Sequence, residues 1–160
     1  MNIKSNKGIS LTSLIIAVII MLIISGSLVF NNVEKLKINN LKKMYADIEI
    51  LNTKVLEYYS NNKTLPILKE YTSDLSMISG IRNPNDNNKY FVIDIESMQN
   101  IRLNYGYGND YSKIKNGQPL TNLKDVYIIN QDSHTIYYVK GIEFENRNYY
   151  RENTEYEKVI

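Results

Sequence analysis

The run from Gly8 to Val33 contains no charged residue, and Leu14 to Ile24 within it is unbroken Leu, Ile, Ala, Val and Met. No other feature restricts this chain so strongly. At a rise of 1.5 Å per residue, roughly 20 apolar residues cross a hydrocarbon core of about 30 Å. Each central Leu, Ile or Val favours insertion by roughly 0.3–0.6 kcal/mol, which amounts to several kcal/mol over the run. The run therefore reads as a membrane segment, with Lys4 and Lys7 on its N-terminal side.

Charge and cysteine content remove several classes of function. The 19 basic and 17 acidic side chains nearly balance, and with Lys4 and Lys7 set aside they balance fully. A nucleic-acid binder needs a clustered surplus of Lys and Arg, so no nucleic acid is predicted as a partner. The chain has no cysteine, which excludes a disulfide framework, a thiolate metal site and a cysteine nucleophile. An extracellular location stays open, because oxidising compartments permit disulfides without requiring them.

Three readings of the apolar run compete. In a secretory signal, a basic start and an apolar core end at the small residues Ser25-Gly26-Ser27, and the mature protein begins at Leu28. In a plain anchor, nothing is removed. The third reading starts from Lys7 and Gly8, which stand directly before the run. "KGISLTSLIIAVIIML" resembles the N-terminal signature of type IV prepilins and type II secretion pseudopilins, in its divergent Gram-positive form. A short basic leader ends in Gly, an aliphatic residue follows, and a polar-speckled start leads into a long apolar helix. The resemblance covers about the first 35 residues strongly.

That resemblance implies a mechanism. A prepilin peptidase cuts between Gly8 and Ile9 on the cytoplasmic side and methylates the Ile9 amine, and Lys4 and Lys7 supply the leader charge. Glycine suits the cut, since its backbone admits close approach of a protease. Leu11, Ser13, Leu14 and Ile15 fall in the assembly helix, which stays on the mature subunit and holds it first in membrane lipid and then in a filament. The implied partners are the peptidase, other pilin-like subunits, and the inner-membrane platform protein with its assembly ATPase. The implied location is the cell membrane as a single pass, leader cytoplasmic and head outside, and then an extracellular filament or the cell surface. Ser13 stands where the family usually carries Glu. A carboxylate in an apolar helix is costly unless paired, whereas a serine hydroxyl can bond back to its own helix. This departure points to a minor subunit rather than the abundant one. Lys35, Lys37, Lys42 and Lys43 make the outer flank as basic as the leader, so local charge counting does not give the orientation.

Beyond the run, Val33, Leu36, Leu41, Met44, Ile48, Leu51, Val55 and Tyr58/Tyr59 recur mostly at steps of three and four, one helical stripe. Lys42, Lys43, Asp47, Glu49, Lys54 and Glu57 are expected on the solvated face, with Lys43–Asp47 and Lys54–Glu57 spaced to pair. Ser60-Asn61-Asn62 and Pro66 stop the helix. From about Ile9 to Asn61 it would measure roughly 75–80 Å.

The remainder reads as a small head with an antiparallel sheet packed on the stripe, giving an α+β class. The expected divisions are a leader over 1–8, an assembly helix over 9–33, an amphipathic half over 34–61 and a head over 62–160. Lys89–Glu96 has strand composition and Asn100–Tyr105 is a weaker candidate. Val126–Asn130 and Thr135–Lys140 form a hairpin about the turn Gln131–His134, and Asn148–Tyr150 adds a short last strand. Leu65–Arg82, with one helical turn near Asp74–Ile78, Asn83–Asn88 and Gly106–Thr121 read as loops.

Catalytic patterns are weak. Asp132, Ser133 and His134 are too close together in a turn to present triad geometry. One histidine and no cysteine leave little for zinc or copper. Asn85, Asp86, Asn87 and Asn88 offer oxygens but lack the spacing and the closing acid of a calcium loop, and Gly106-Tyr107-Gly108 lacks the context of a phosphate loop. No cofactor and no metal are expected. Tyr137, Tyr138, Tyr149 and Tyr150 could line a stacking surface, although tyrosines in strands more often cover a core edge. A structural, non-enzymatic subunit is the expectation. The alternative is a membrane-anchored or secreted surface-binding protein that never polymerises.

Overall fold

The computed structural model describes residues 11–78, 81 and 88–151, with the side chains of 11–15 and 22–32 outside that description. The chain divides into two compact units, Met1–Leu36 and Lys37–Ile160. In the first unit the backbone is helical from Leu11 onward, and Ile16 and Val18 to Met21 are exposed. Among the described residues, no helix is long and apolar enough to cross a membrane. Most of the run expected to span one, and the leader before it, lie outside the described side chains.

The second unit is α+β, as expected. Helix α1 (Leu11–Asn62) contributes Leu41, Met44, Ile48, Leu51 and Val55 to its core, each at most 3% exposed. These residues recur at steps of three and four, so one face of the helix is buried. The helix ends where the stop signals lie. The Asn62 side-chain amide donates to the Tyr58 carbonyl at 3.0 Å, and Lys63, at φ 60°, takes the left-handed conformation that closes many helices.

Four short strands form an antiparallel sheet in the order β1 (Ile67–Glu70), β2 (Tyr90–Ile93), β3 (Tyr127–Asn130), β4 (Ile136–Tyr138). The expected hairpin is β3–β4, with Tyr127 opposite Tyr138 and Ile129 opposite Ile136. Tyr127 reaches α1 through its hydroxyl, so the two-residue period turns Tyr127 and Ile129 toward the helix and Ile128 and Asn130 away. All four are nevertheless buried. On the far face Tyr90 meets Ile81 of the β1–β2 connection, its hydroxyl donating to the Ile81 carbonyl at 3.5 Å. A sheet covered on both faces loses the alternation that betrays a half-buried strand.

Several expectations require correction. The segment Leu65–Arg82 contains β1, a bulged edge strand whose mixed burial gives no clear period. The segment Gly106–Thr121 contains a short helix, α2 (Asn109–Lys115). Asn100–Tyr105 is not a strand; it runs irregularly past α1 because its amides are needed there, as described below. Lys89–Glu96 is a strand only to Ile93 and then tightens into a 3₁₀ turn, Ile95–Ser97. The expected last strand pairs outside the main sheet, as β5 (Ile142–Phe144) with β6 (Arg147–Tyr149).

Candidate functional site

Asp47 lies three residues after Met44 and four before Leu51, inside the apolar stripe of α1, and is 0% exposed. The expectation that it belongs to the solvated face is wrong. A buried carboxylate is costly unless hydrogen-bonded, and four donors converge on this one. The Asn104 backbone N–H is 3.0 and 2.9 Å from the two oxygens, and the Asn104 side-chain amide donates to Oδ1 at 2.8 Å. The Tyr105 N–H and the Tyr127 hydroxyl each donate to Oδ2 at 3.0 Å. The carboxylate thus ties the helix to the 100–105 connection and to the middle of the sheet.

A second carboxylate repeats the arrangement nearby. Asp125 Oδ1 accepts the Tyr138 hydroxyl at 2.7 Å and the Gly106 N–H at 3.0 Å. Between the two carboxylates the rings of Tyr105, Tyr138 and Tyr127 follow one another, with centroids 5.5 and 5.0 Å apart. Gly106, at φ +72°, passes so close to the Tyr127 ring that a Cβ there would overlap it. Two further aspartates complete the lacing. Asp94 accepts the Tyr111 hydroxyl at 2.8 Å, and Asp110 accepts the N–H groups of Lys124 and Asp125 at 3.1 and 3.0 Å.

The phenols in this network are held as donors. Burial raises Tyr127 well above its ordinary value, and the charge of Asp47 and the bond to it add to the effect. Tyr138 is raised by burial and then by its bond to Asp125, and Tyr111 by burial and then by its bond to Asp94. Each carboxylate favours the protonated phenol that donates to it. The chemistry available is directional hydrogen bonding that fixes the position of one element on another.

Other expected groups fall elsewhere. Lys4, Lys7, Gly8 and Ile9 lie outside the described residues, and Leu11, Ser13, Leu14 and Ile15 are described only as helical backbone. Asp132, Ser133 and His134 form the β3–β4 turn. The Asn130 side chain accepts the N–H groups of Asp132 and Ser133 at 2.9 and 2.8 Å, and His134 sits at φ 55° with its ring 5.3 Å from that of Tyr59. Of the oxygen-rich stretch only Asn88 is described, and among the described residues no group of three acidic, histidine or cysteine side chains could hold a metal. Tyr137, Tyr138, Tyr149 and Tyr150 are at most 7% exposed, so they belong to the core and not to a stacking surface. Lys54 and Glu57 pair at 2.9 Å, as their spacing allows.

An open groove of about 730 Å³ lies beside β1, lined by Lys69, Ser73, Asp74, Met77, Leu120 and Asn122 among others. No family model matches the chain, and neither a curated protein nor a solved structure matches it.

Proposed function

We propose that the protein is a structural subunit of a type IV pilus, competence pilus or type II secretion pseudopilus, and a minor one. The observation that carries the reading is a single order of parts. A basic leader ending at Gly8 precedes an apolar run, and the helix that continues from it becomes amphipathic and carries an antiparallel sheet on its apolar stripe. Such a chain can lodge its first segment in lipid or among like helices while displaying a head. The aspartates support the reading because Asp47 holds the sheet to the helix and Asp125 holds β4 to the connection before β3, rather than presenting a reactive group. The function is therefore proposed as structural and not enzymatic.

On this reading a prepilin peptidase removes Met1–Gly8 and methylates Ile9. The subunit waits in the membrane with its head outside, and the platform protein and assembly ATPase then move it into a filament of pilin-like partners. Ser13 in place of a carboxylate removes the charge that would recruit a neighbour's amine, which suits a minor position. N-terminal sequencing of the mature protein tests the proposal. A methylated Ile9, lost when the peptidase gene is deleted, is the expected result. Leu28 at the N-terminus would establish a secreted protein, and Met1 a bare anchor; either result overturns the proposal.

A further inference from the structure

Asn116 and Gly117 form the chain's only Asn-Gly pair. We infer that this pair is a site of spontaneous covalent modification, in which Asn116 deamidates through a cyclic imide and the isoaspartyl product loosens one wall of the groove beside β1. The inference does not rest on the function proposed above.

The geometry exposes the reacting groups and restrains them. Asn116 closes α2 with its side chain exposed, and Gly117 follows at φ +82° with nothing within 4 Å of the place a Cβ would occupy. Gly117 adds no side chain of its own beside the Asn116 carboxamide, and the space its Cβ would fill is open. The restraint is the helix end itself. The Gly117 N–H donates to the Ile114 carbonyl at 3.0 Å, and the Gln118 N–H donates to the Lys113 carbonyl at 3.0 Å. Asn116 also stands at ψ 12°, which keeps its side-chain carbon away from the next nitrogen. The last turn of a seven-residue helix opens at little cost, so the reaction proceeds from the opened cap.

In that state hydroxide removes the Gly117 amide proton and the nitrogen attacks Asn116 Cγ. A C–N bond forms, the carboxamide C–N bond breaks, and ammonia leaves. Water then opens the ring. Attack at Cγ restores the original backbone with aspartate. Attack at the backbone carbonyl breaks the original peptide bond, so that the chain now runs through Cγ and is one methylene longer. The net change is one water consumed and one ammonia released.

The added methylene enters two residues before Gln118, whose carbonyl accepts Lys69 Nζ at 2.7 Å. Downstream, the Leu120 carbonyl accepts the Ser73 hydroxyl and the Leu123 carbonyl accepts the Tyr71 hydroxyl, each at 3.1 Å. These three bonds hold 118–124 against 69–73 across the groove. A longer backbone at the root of that wall shifts its register against all three. The new carboxylate also lies at the negative end of α2, an unfavourable place that Lys113 and Lys115 partly offset.

The test is timed incubation of the full chain at pH 7.4 and pH 9, with peptide mapping that separates aspartyl from isoaspartyl products. Amide exchange is then measured over 118–124. Asn116 is expected to convert several times faster than any other described asparagine, and faster still in urea, where the cap is absent. Gly117→Ala is expected to slow the conversion even though φ +82° strains the cap. The isoaspartyl fraction should lose protection over 118–124, while Asn116→Asp, which adds the charge without the methylene, should keep it. The inference is overturned if another described asparagine converts first, if Gly117→Ala or urea leaves the rate unchanged, or if the isoaspartyl fraction exchanges like the parent.

Discussion

Removing the Asp47 carboxylate is the sharpest test of how the head is held. In Asp47→Ala, the Tyr127 hydroxyl, on a residue 1% exposed, loses its acceptor inside the core. An unsatisfied buried donor costs about 1–3 kcal/mol. The Asn104 and Tyr105 amides are only part-buried and regain some water, so each of their three bonds costs about 0.5–1.5 kcal/mol. These losses are not independent, and a total of about 3–5 kcal/mol is expected, a large share of a domain's stability. Tyr127→Phe removes one bond and should cost about 1.5–3 kcal/mol, the range for a bond to a charged group. In the double variant the two losses should overlap by about 1.5–3 kcal/mol. The measurement is urea unfolding of the full chain, followed by the near-ultraviolet circular dichroism of its tyrosines. Amide exchange at Asn104 and Tyr105 should also accelerate in Asp47→Ala. A cost below about 1 kcal/mol, with those amides unchanged, would mean that Asp47 is a solvated helix residue after all, and the account of the head would fail.

Three further outcomes are expected. The raised phenols of Tyr127, Tyr138 and Tyr111 make folding sensitive to alkali. Their contribution is fully present below pH 10, and above it the unfolded chain releases protons that the folded chain keeps. Stability then falls by about 1.4 kcal/mol per pH unit for each phenol. Phenolate absorbance of these groups should therefore appear together with unfolding, and ionisation within an intact fold would contradict the assignment. Gly106→Ala places a methyl against the Tyr127 ring at a left-handed backbone position. Roughly 1–2 kcal/mol from the backbone and about 1–3 from the displaced ring should lower the melting temperature clearly. By contrast, the Lys37–Glu143 pair at 3.1 Å has side chains 40% and 59% exposed. Changing either to Ala should alter urea stability by less than about 1 kcal/mol, and a larger loss would show that the β5–β6 hairpin depends on this contact.

What could be read in the sequence followed the strength of local periodicity. The stripe from Leu41 to Val55 and the hairpin about Gln131–His134 carry clear periods and turn chemistry, and both stand where those signals place them. β1 gives no clear signal because an edge strand with a bulge mixes its burial, and α2 because its seven residues fall short of two helical turns. Asp47 was misread for a different reason. Its spacing of four from Lys43 suggested a surface pair, while its spacing of three from Met44 and four from Leu51 put it on the buried face. The second spacing carries more weight because it agrees with two apolar neighbours rather than one charge. Its partners, Asn104, Tyr105 and Tyr127, are more than fifty residues away and leave no local mark.

A polar residue in that stripe also resolves an ambiguity that apolar residues leave open. Leu41, Met44, Ile48, Leu51 and Val55 repeat at nearly equal steps, so a sheet moved by one helical turn, about 5.4 Å, would still meet large apolar side chains. Burial alone changes little between such registers, because hydrophobic attraction is non-directional. Hydrogen bonds are directional, and only one register brings the amides of Asn104 and Tyr105 and the Tyr127 hydroxyl to the same carboxylate. In every other register the buried charge keeps its desolvation cost without its donors. Asp47 therefore selects a register as well as holding the head together, much as a lone polar residue fixes the register of a coiled-coil seam. For a subunit whose proposed task is to present a head at a fixed place along a helix, that selection is the property the fold most needs.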